Sequence, residues 1–295
     1  MRVRREDAGA VIARAFALVL LAATSAHADV RVTDDAGHSV ALAAPAQRVV
    51  SLGPHLTELA YAAGGDKALV GAIRFSDFPE PAKLLPVVGD AHAIDFERIA
   101  QLRPDLVLVW GSGLNERHKA RLRSLGLTVY ESEIRRAQGI PDTLRKLGTL
   151  LGKSDTAETA ARVFESQWQA LTERYAGKPP VRVFWQLWHE PLMTINREHL
   201  ISEALRACGG VNVFADLPLL TPSVSWEVAV DPQLIAGSGR SEDAPRDFAA
   251  WKRFAAVSAV KHGRFVSIDG NLIGRMGPRF VEGADALCAL IDRVR

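Results

Sequence analysis

The chain of 295 residues has only two cysteines, Cys208 and Cys288, and no group of Cys, His, Asp and Glu with the spacing of a structural metal site. It has no G-x-S-x-G elbow and no nucleophilic cysteine pattern. Gly111-Ser112-Gly113 lacks the third glycine of a dinucleotide loop, because Glu116 stands there and a carboxylate repels a pyrophosphate. His189-Glu190 opens like a zinc-binding helix, but Met193 takes the place of the second histidine. No catalytic motif is complete, which argues for a chain that is not an enzyme and carries no cofactor. An excess of one charge is missing too, so nothing argues for nucleic acid or a membrane surface as partner.

What is present begins with an export signal. Arg2, Arg4, Arg5 and Arg14 form a basic start, Ala15–Ala23 is a short apolar run, and Ala26-His27-Ala28 is an A-x-A cleavage site. The run is too short to span a bilayer, and no other stretch is long and apolar enough. Cleavage near Ala28 removes four of the 36 basic and two of the 34 acidic residues and leaves 32 of each. No cysteine lies near the cleavage site, so no lipid anchor is expected. In an exported protein two cysteines read as one disulfide, with two buried free thiols as the alternative.

Behind the signal the pattern alternates. A small hairpin is expected around Asp34-Asp35-Ala36-Gly37. Strands are expected at Arg48–Leu52, Ala68–Ile73, Asp105–Trp110 and Leu127–Tyr130, with helices at His55–Ala63, Phe96–Leu102, Asn115–Ser124 and Pro141–Leu151. A second block offers strands at Val181–Trp188, Leu192–Ile195, Leu234–Ala236 and Arg264–Ile268, and helices at Glu198–Ala207, Asp247–Phe254 and Gly277–Val294. Such alternation implies two parallel-sheet lobes. The blocks also echo each other. Glu58 precedes Gly64-Gly65 as Glu203 precedes Gly209-Gly210, and Phe96-Glu97 leads to Gly111-Ser112-Gly113 as Trp226-Glu227 leads to Gly237-Ser238-Gly239.

Between the blocks lies Ser154–Ala176, with apolar residues at Ala157, Ala160, Ala161, Phe164, Trp168, Leu171 and Tyr175. That spacing predicts one long helix, and Asp155 with Glu158 predicts a capping box at its start. The expected organisation is a signal at 1–28, an N-terminal lobe at 29–153, a linking helix at 154–176 and a C-terminal lobe at 177–295.

Ligands of open α/β sheets sit beyond the carboxyl ends of the strands. There the sequence places Phe75, Trp110 and Trp188, aromatics that either line a cleft for a large, flat, partly apolar ligand or cover the sheet ends. Glu97 and Glu227 occupy matching places in the two blocks, as solvated carboxylates at helix starts or as paired acidic knobs for a basic partner.

Arg48-Val49-Val50-Ser51-Leu52-Gly53-Pro54 with Thr57-Glu58, Phe75-Ser76-Asp77-Phe78-Pro79, and Glu97-Arg98-Ile99 with Pro104-Asp105-Leu106-Val107 resemble the periplasmic binding proteins of cobalamin and iron-siderophore ABC importers. Cys208-Gly209-Gly210 and Gly277-Pro278-Arg279 bring the likeness closest to the cobalamin branch. The resemblance implies two Rossmann-like α/β lobes joined by a single long α-helix, with a ligand held between them, and a monomer serving a permease dimer. It implies a Cys208–Cys288 disulfide, docking of Glu97 and Glu227 on permease arginines, and ligand contacts at Phe75, Trp110 and the segment Asn271, Leu272, Ile273, Gly274 and Arg275, to which the strand-end reading adds Trp188. The family's tryptophan ahead of the Glu97 helix is replaced by Ala91-His92, and another is missing near Thr221. His92 is thereby a candidate axial ligand for cobalt or haem iron. The expected ligand is cobalamin or a related corrinoid, with haem or a ferric siderophore as the alternative. A chelatase-like enzyme would want His92 and Glu190 to converge.

Overall fold

The computed structural model describes residues 30–90, 92–226, 231–239 and 248–295. The predicted export signal lies outside them, as does Glu227. Strands β1 (Val30–Thr33) and β2 (Ser39–Leu42) form the antiparallel hairpin. It is pinned to the first lobe where Asp35 Oδ1 accepts from Lys146 Nζ at 2.6 Å.

The N-terminal lobe is an all-parallel sheet in the order β4-β3-β5-β6, with β3 at Val49–Leu52, β4 at Leu69–Ala72, β5 at Leu106–Trp110 and β6 at Val129–Ser132. Its helices are α1 (Pro54–Ala62), α2 (Phe96–Leu102), α3 (Glu116–Ser124) and α4 (Gly139–Leu151). The strands are apolar on both sides because helices cover both faces. Val49, Leu106 and Leu108 face the core shared with α1 and α4, while Val50, Leu52, Val107 and Val109 face Ile99 of α2 and Leu122 of α3.

The C-terminal lobe repeats this plan. Its parallel sheet has the order β10-β7-β11-β12, with β7 at Val181–Gln186, β10 at Gly210–Asn212, β11 at Leu234–Gly239 and β12 at Phe265–Asp269. A short ribbon of β8 (Trp188–His189) and β9 (Leu192–Met193) precedes α6 (Leu200–Ala207). Helices α7 (Ser258–Lys261), α8 (Gly270–Ile273) and α9 (Phe280–Asp292) complete the described elements. The two strand orders superpose in chain sequence, β3 with β7, β5 with β11 and β6 with β12, which is the internal echo seen in three dimensions.

Helix α5 (Ser154–Tyr175) joins the two sheets and is about 33 Å long at 1.5 Å per residue. Ala157, Ala161, Phe164, Leu171 and Tyr175 are buried in one core that contains residues of both sheets. Trp168 is partly buried between Phe164 and Phe280, with ring centroids 6.4 and 5.9 Å away. At Gly148 a side chain would collide with Ala157, so glycine there lets α4 and α5 touch. The predicted capping box does not form. Lys153 is the N-cap and donates no side-chain cap, and Glu158 instead receives Arg145 and Arg162, both at 2.7 Å. Asp247–Phe254 also departs from expectation, since the described part is a short 3-10 turn at Ala249–Arg253. Phe248 and Trp251 are packed on Phe265 and Phe184, and their three-residue spacing is that of a 3-10 turn. Cys208, just after α6, is bonded to Cys288 of α9. No helix among the described residues is long and apolar enough to cross a membrane.

Candidate functional site

The carboxyl ends of both sheets carry the residues that meet between the lobes. Helix α1 follows β3 directly, with Pro54 in its first turn fixing a helical φ and lacking the N–H that a first-turn residue leaves unpaired. It carries Glu58 into the seam, where the side chain is 1% exposed. A carboxylate so buried is costly unless paired. Its partners come from the other lobe. Arg279 binds it through two hydrogen bonds, Nε to Oε2 at 3.0 Å and Nη2 to Oε1 at 2.7 Å. Arg275 Nη1 donates to Oε1 at 3.0 Å. The Glu58 hydrogen bonds hold the Arg279 guanidinium above its ordinary range.

Arg275 does more than neutralise Glu58. Nη1 also donates to Asp77 at 2.7 Å, and Nη2 donates to the Phe75 carbonyl at 3.1 Å and to Asn271 Oδ1 at 2.8 Å. Burial raises the Asp77 carboxyl, but the Arg275 hydrogen bond and charge outweigh it and leave the group below the usual carboxylate range. Arg279 also lies over the Phe78 ring, 3.7 Å from its centroid. A cation over an aromatic face is held by the ring quadrupole.

Phe75 is 70% exposed at the rim and has a φ of 68°, the left-handed region that a bulky residue avoids at a cost of about 1–3 kcal/mol. Trp110 is half-buried at the end of β5, packed edge-on against His55 with centroids 5.3 Å apart. Gly113 gives the Trp110 ring its space, because a side chain there would overlap it. Burial, with the Arg275 charge added, pushes the His55 imidazole down to about 3. Below this floor Thr57 Oγ1 lies 2.9 Å from Ser51 Oγ and 3.0 Å from Ser76 Oγ. From the second lobe Trp188 is 55% exposed and stacks on His189 at 5.4 Å, and its Nε1 donates to the Glu190 carbonyl. Trp188 and His189 line a cavity of about 270 Å³ with Phe248 and Ser238, and Phe75 lines another of about 270 Å³ in the opposite lobe.

Asn271 and Gly274 are exposed and Leu272 is half-buried, whereas Ile273 belongs to the core and presents no side chain to a ligand. Glu97 is exposed in the first turn of α2, behind the Asp95 N-cap. His92 is exposed, with its backbone N–H bonded to Asp90. Glu190 is exposed next to the Trp188 ribbon. No group of three metal-ligating side chains occurs among the described residues. A further cavity, about 730 Å³, lies elsewhere in the interlobe gap, where Arg135 and Arg136 after β6 face Arg197, His199 and Arg206 around α6. Its lining is charged and suits a flat apolar ligand less well than the aromatic ends of the sheets do.

The roles of Glu58, Arg279, His55 and His189 were not anticipated from the sequence. A signal existed for Glu58, a single carboxylate on the buried face of an apolar helix, which demands a partner.

Residues 49–272 match the periplasmic binding protein family. The chain is 36% identical over 250 residues to the vitamin B12-binding protein of Vibrio cholerae, covering 84% of this chain and 90% of that one. It is 37% identical over 246 residues to the vitamin B12-binding protein of Yersinia pestis, covering 82% and 85%. The crystal structure of the periplasmic vitamin B12 binding protein BtuF of Vibrio cholerae superposes with a TM-score of 0.77 at 35% identity, covering 85% of this chain and 98% of that one. The periplasmic heme-binding protein BhuT, in complex with two hemes, superposes with a TM-score of 0.75 at 25% identity, covering 84% and 98%. With its two parallel-sheet lobes on one connecting helix, the chain belongs to the periplasmic binding protein family.

Proposed function

We propose that this protein captures cobalamin or a related corrinoid in the periplasm, after export by the signal at 1–28, and delivers it to an ABC importer. The observation that supports the reading is the placing of aromatics after strands in both lobes, exposed Phe75 and half-buried Trp110 in the first and exposed Trp188 in the second. A corrin is broad, flat and partly apolar, and its rim of amides suits the polar groups between these rings. Asn271, Leu272 and Gly274 join the contact surface. The vitamin B12-binding relatives support the same choice. The chain performs no turnover. A single stiff helix between the lobes, packed into one core with both, favours a largely pre-formed cleft and small closure. Glu97 and Glu227 are the proposed docking carboxylates for a permease dimer, one from each lobe.

Calorimetric titration of the purified protein with cyanocobalamin tests the ligand and is expected to show saturable binding at or below micromolar concentrations. No heat with cyanocobalamin or cobinamide at that level would overturn it. Haem is the second reading. It is favoured by the His189 imidazole beside Trp188 in the cavity of the second lobe and by the heme-binding relative. The visible spectrum of the protein as purified separates the two, since corrins and haem absorb at different wavelengths.

A further inference from the structure

Phe75 stands at the cleft rim in a backbone conformation that its own sequence does not favour. A residue stays in such a conformation only when its surroundings over-determine it. Here the local bonds are few. The Arg74 N–H donates to the Gly89 carbonyl at 2.9 Å, the Ser76 N–H donates to the Ile73 carbonyl at 3.2 Å, and Ser76 Oγ meets Thr57. A further constraint arrives from the other lobe, since one guanidinium grips the loop at the Phe75 carbonyl and, two residues on, at Asp77. That guanidinium is itself aimed by Glu58 and Asn271, and its side chain is only 12% exposed.

We propose that Arg275 is the positioning residue for the Phe75 platform, so that the ring holds its ligand-facing pose only while the two lobes stand at the spacing set by Glu58, Arg275 and Arg279. Arg275 acts on Phe75 through the loop backbone, and four of its five N–H donors are engaged by Glu58, Asp77, the Phe75 carbonyl and Asn271. Separation of the lobes breaks the Arg275 bonds to Phe75 and Asp77 together. The platform then relaxes and the ligand loses one of its surfaces at the moment of delivery. Capture and release are thereby tied to one arginine. The ligand part of this inference rests on the cobalamin reading, and the geometric part does not.

The test uses the whole chain labelled with para-fluorophenylalanine, with the Phe75 resonance assigned by its loss in Phe75→Leu. In the wild-type protein Phe75 should give one shifted line. In Arg275→Gln and Glu58→Gln it should broaden and move toward the value of a free side chain. Arg275→Lys keeps a cation for Glu58 but cannot span all four acceptors, so it should fold normally and still release Phe75. Asp285→Asn removes the exposed partner of Arg174, a pair between α5 and α9, and should leave the line unchanged. Cyanocobalamin affinity should fall by ~10-fold in Arg275→Lys, the loss of about one pre-organised contact. An unchanged Phe75 line in both Arg275 variants overturns the proposal. If the line responds while wild-type protein fails to bind cyanocobalamin, the positioning role stands and the ligand reading falls.

Discussion

Glu58 and Glu203 occupy equivalent places in the two lobes, each on the helix that leads to a glycine pair, and each leaves its own lobe to bind the other. Their targets are equivalent as well. Glu58 reaches the segment after β12, and Glu203 reaches the segment after β6. The strength of the two seams differs sharply. Glu58 is buried and held by two guanidiniums, whereas Glu203 Oε2 accepts one backbone N–H, from Ala137 at 2.7 Å. The arginines available near the second seam, Arg135 and Arg136, are exposed and line the open cavity instead. A duplicated plan has thus become one tight seam and one loose seam. Lobe movement should pivot near Glu58 and widen near Ala137.

The lobes differ also in how their equivalent helices end. The end of α1 packs on Leu151 through Gly65, while α6 ends in Cys208, bonded to Cys288 across a sequence separation of 80. Closing a loop of that length removes enough chain entropy to stabilise the native state by about 4.5 kcal/mol. Cys208→Ser with Cys288→Ser should therefore give the largest loss of the series in urea unfolding, and fluorescence of the C-terminal tryptophans should change before the N-terminal lobe unfolds. Glu58→Gln comes next. It leaves two largely buried guanidiniums facing a neutral amide, a change worth about 3 kcal/mol. A loss below 1 kcal/mol would mean that the seam is a surface ion pair in disguise.

Histidines open both helices, and burial lowers each. His55, in the first turn of α1, is pushed down to about 3 by burial and by Arg275. His199, the N-cap of α6, is pushed down to about 4 by burial, and its Nδ1 accepts the Ile201 N–H. In the unfolded chain both titrate near 6.5. Below that value the unfolded state binds protons that the native state refuses, so the stabilisation present at neutral pH is lost as pH falls. At pH 5 each should have cost about 2 kcal/mol. His199→Asn keeps the cap and should flatten the pH profile down to about 4, where the wild-type histidine itself protonates, and His55→Gln should flatten it further, toward 3. Urea midpoints between pH 7 and 4 measure both. Equal slopes in wild type and variants would place the pH dependence elsewhere.

The plan of two lobes was legible because buried parallel strands are short apolar runs, such as Leu106–Trp110, and because the period of α5 continues for 22 residues. Strand β10 was missed, since Gly210–Asn212 is too short to carry a pattern. The aromatics were found as types at strand ends, but the contacts that fix the Phe75 loop across the lobes were not. Phe75 meets Arg275 across 200 residues of chain, and Glu58 meets Arg279 across 221. Periodicity is local, and such pairings are set by the packing of one lobe on the other. The echo around Glu58 and Glu203 was visible in the sequence, but its meaning as two seams needed the positions of their partners.

The loose seam offers the smallest and sharpest test. Glu203→Ala removes the acceptor of the Ala137 N–H among the described residues, and Ala137 is fully buried. An orphaned buried donor costs about 1.5 kcal/mol, roughly half the expected effect of Glu58→Gln. Glu203→Gln keeps an acceptor oxygen and should cost less than Glu203→Ala. A global change would not show where the molecule opened, so the decisive measurement is hydrogen exchange at single amides. In Glu203→Ala the Ala137 amide should exchange ~10-fold faster while amides of α1 around Glu58 keep their protection, because local opening draws on local contacts. If α1 loses protection to the same degree, the two seams open together and the molecule has no preferred pivot. If Ala137 alone responds, the lobes part from the arginine-lined side, and the buried glutamate of the first lobe is the point about which they turn.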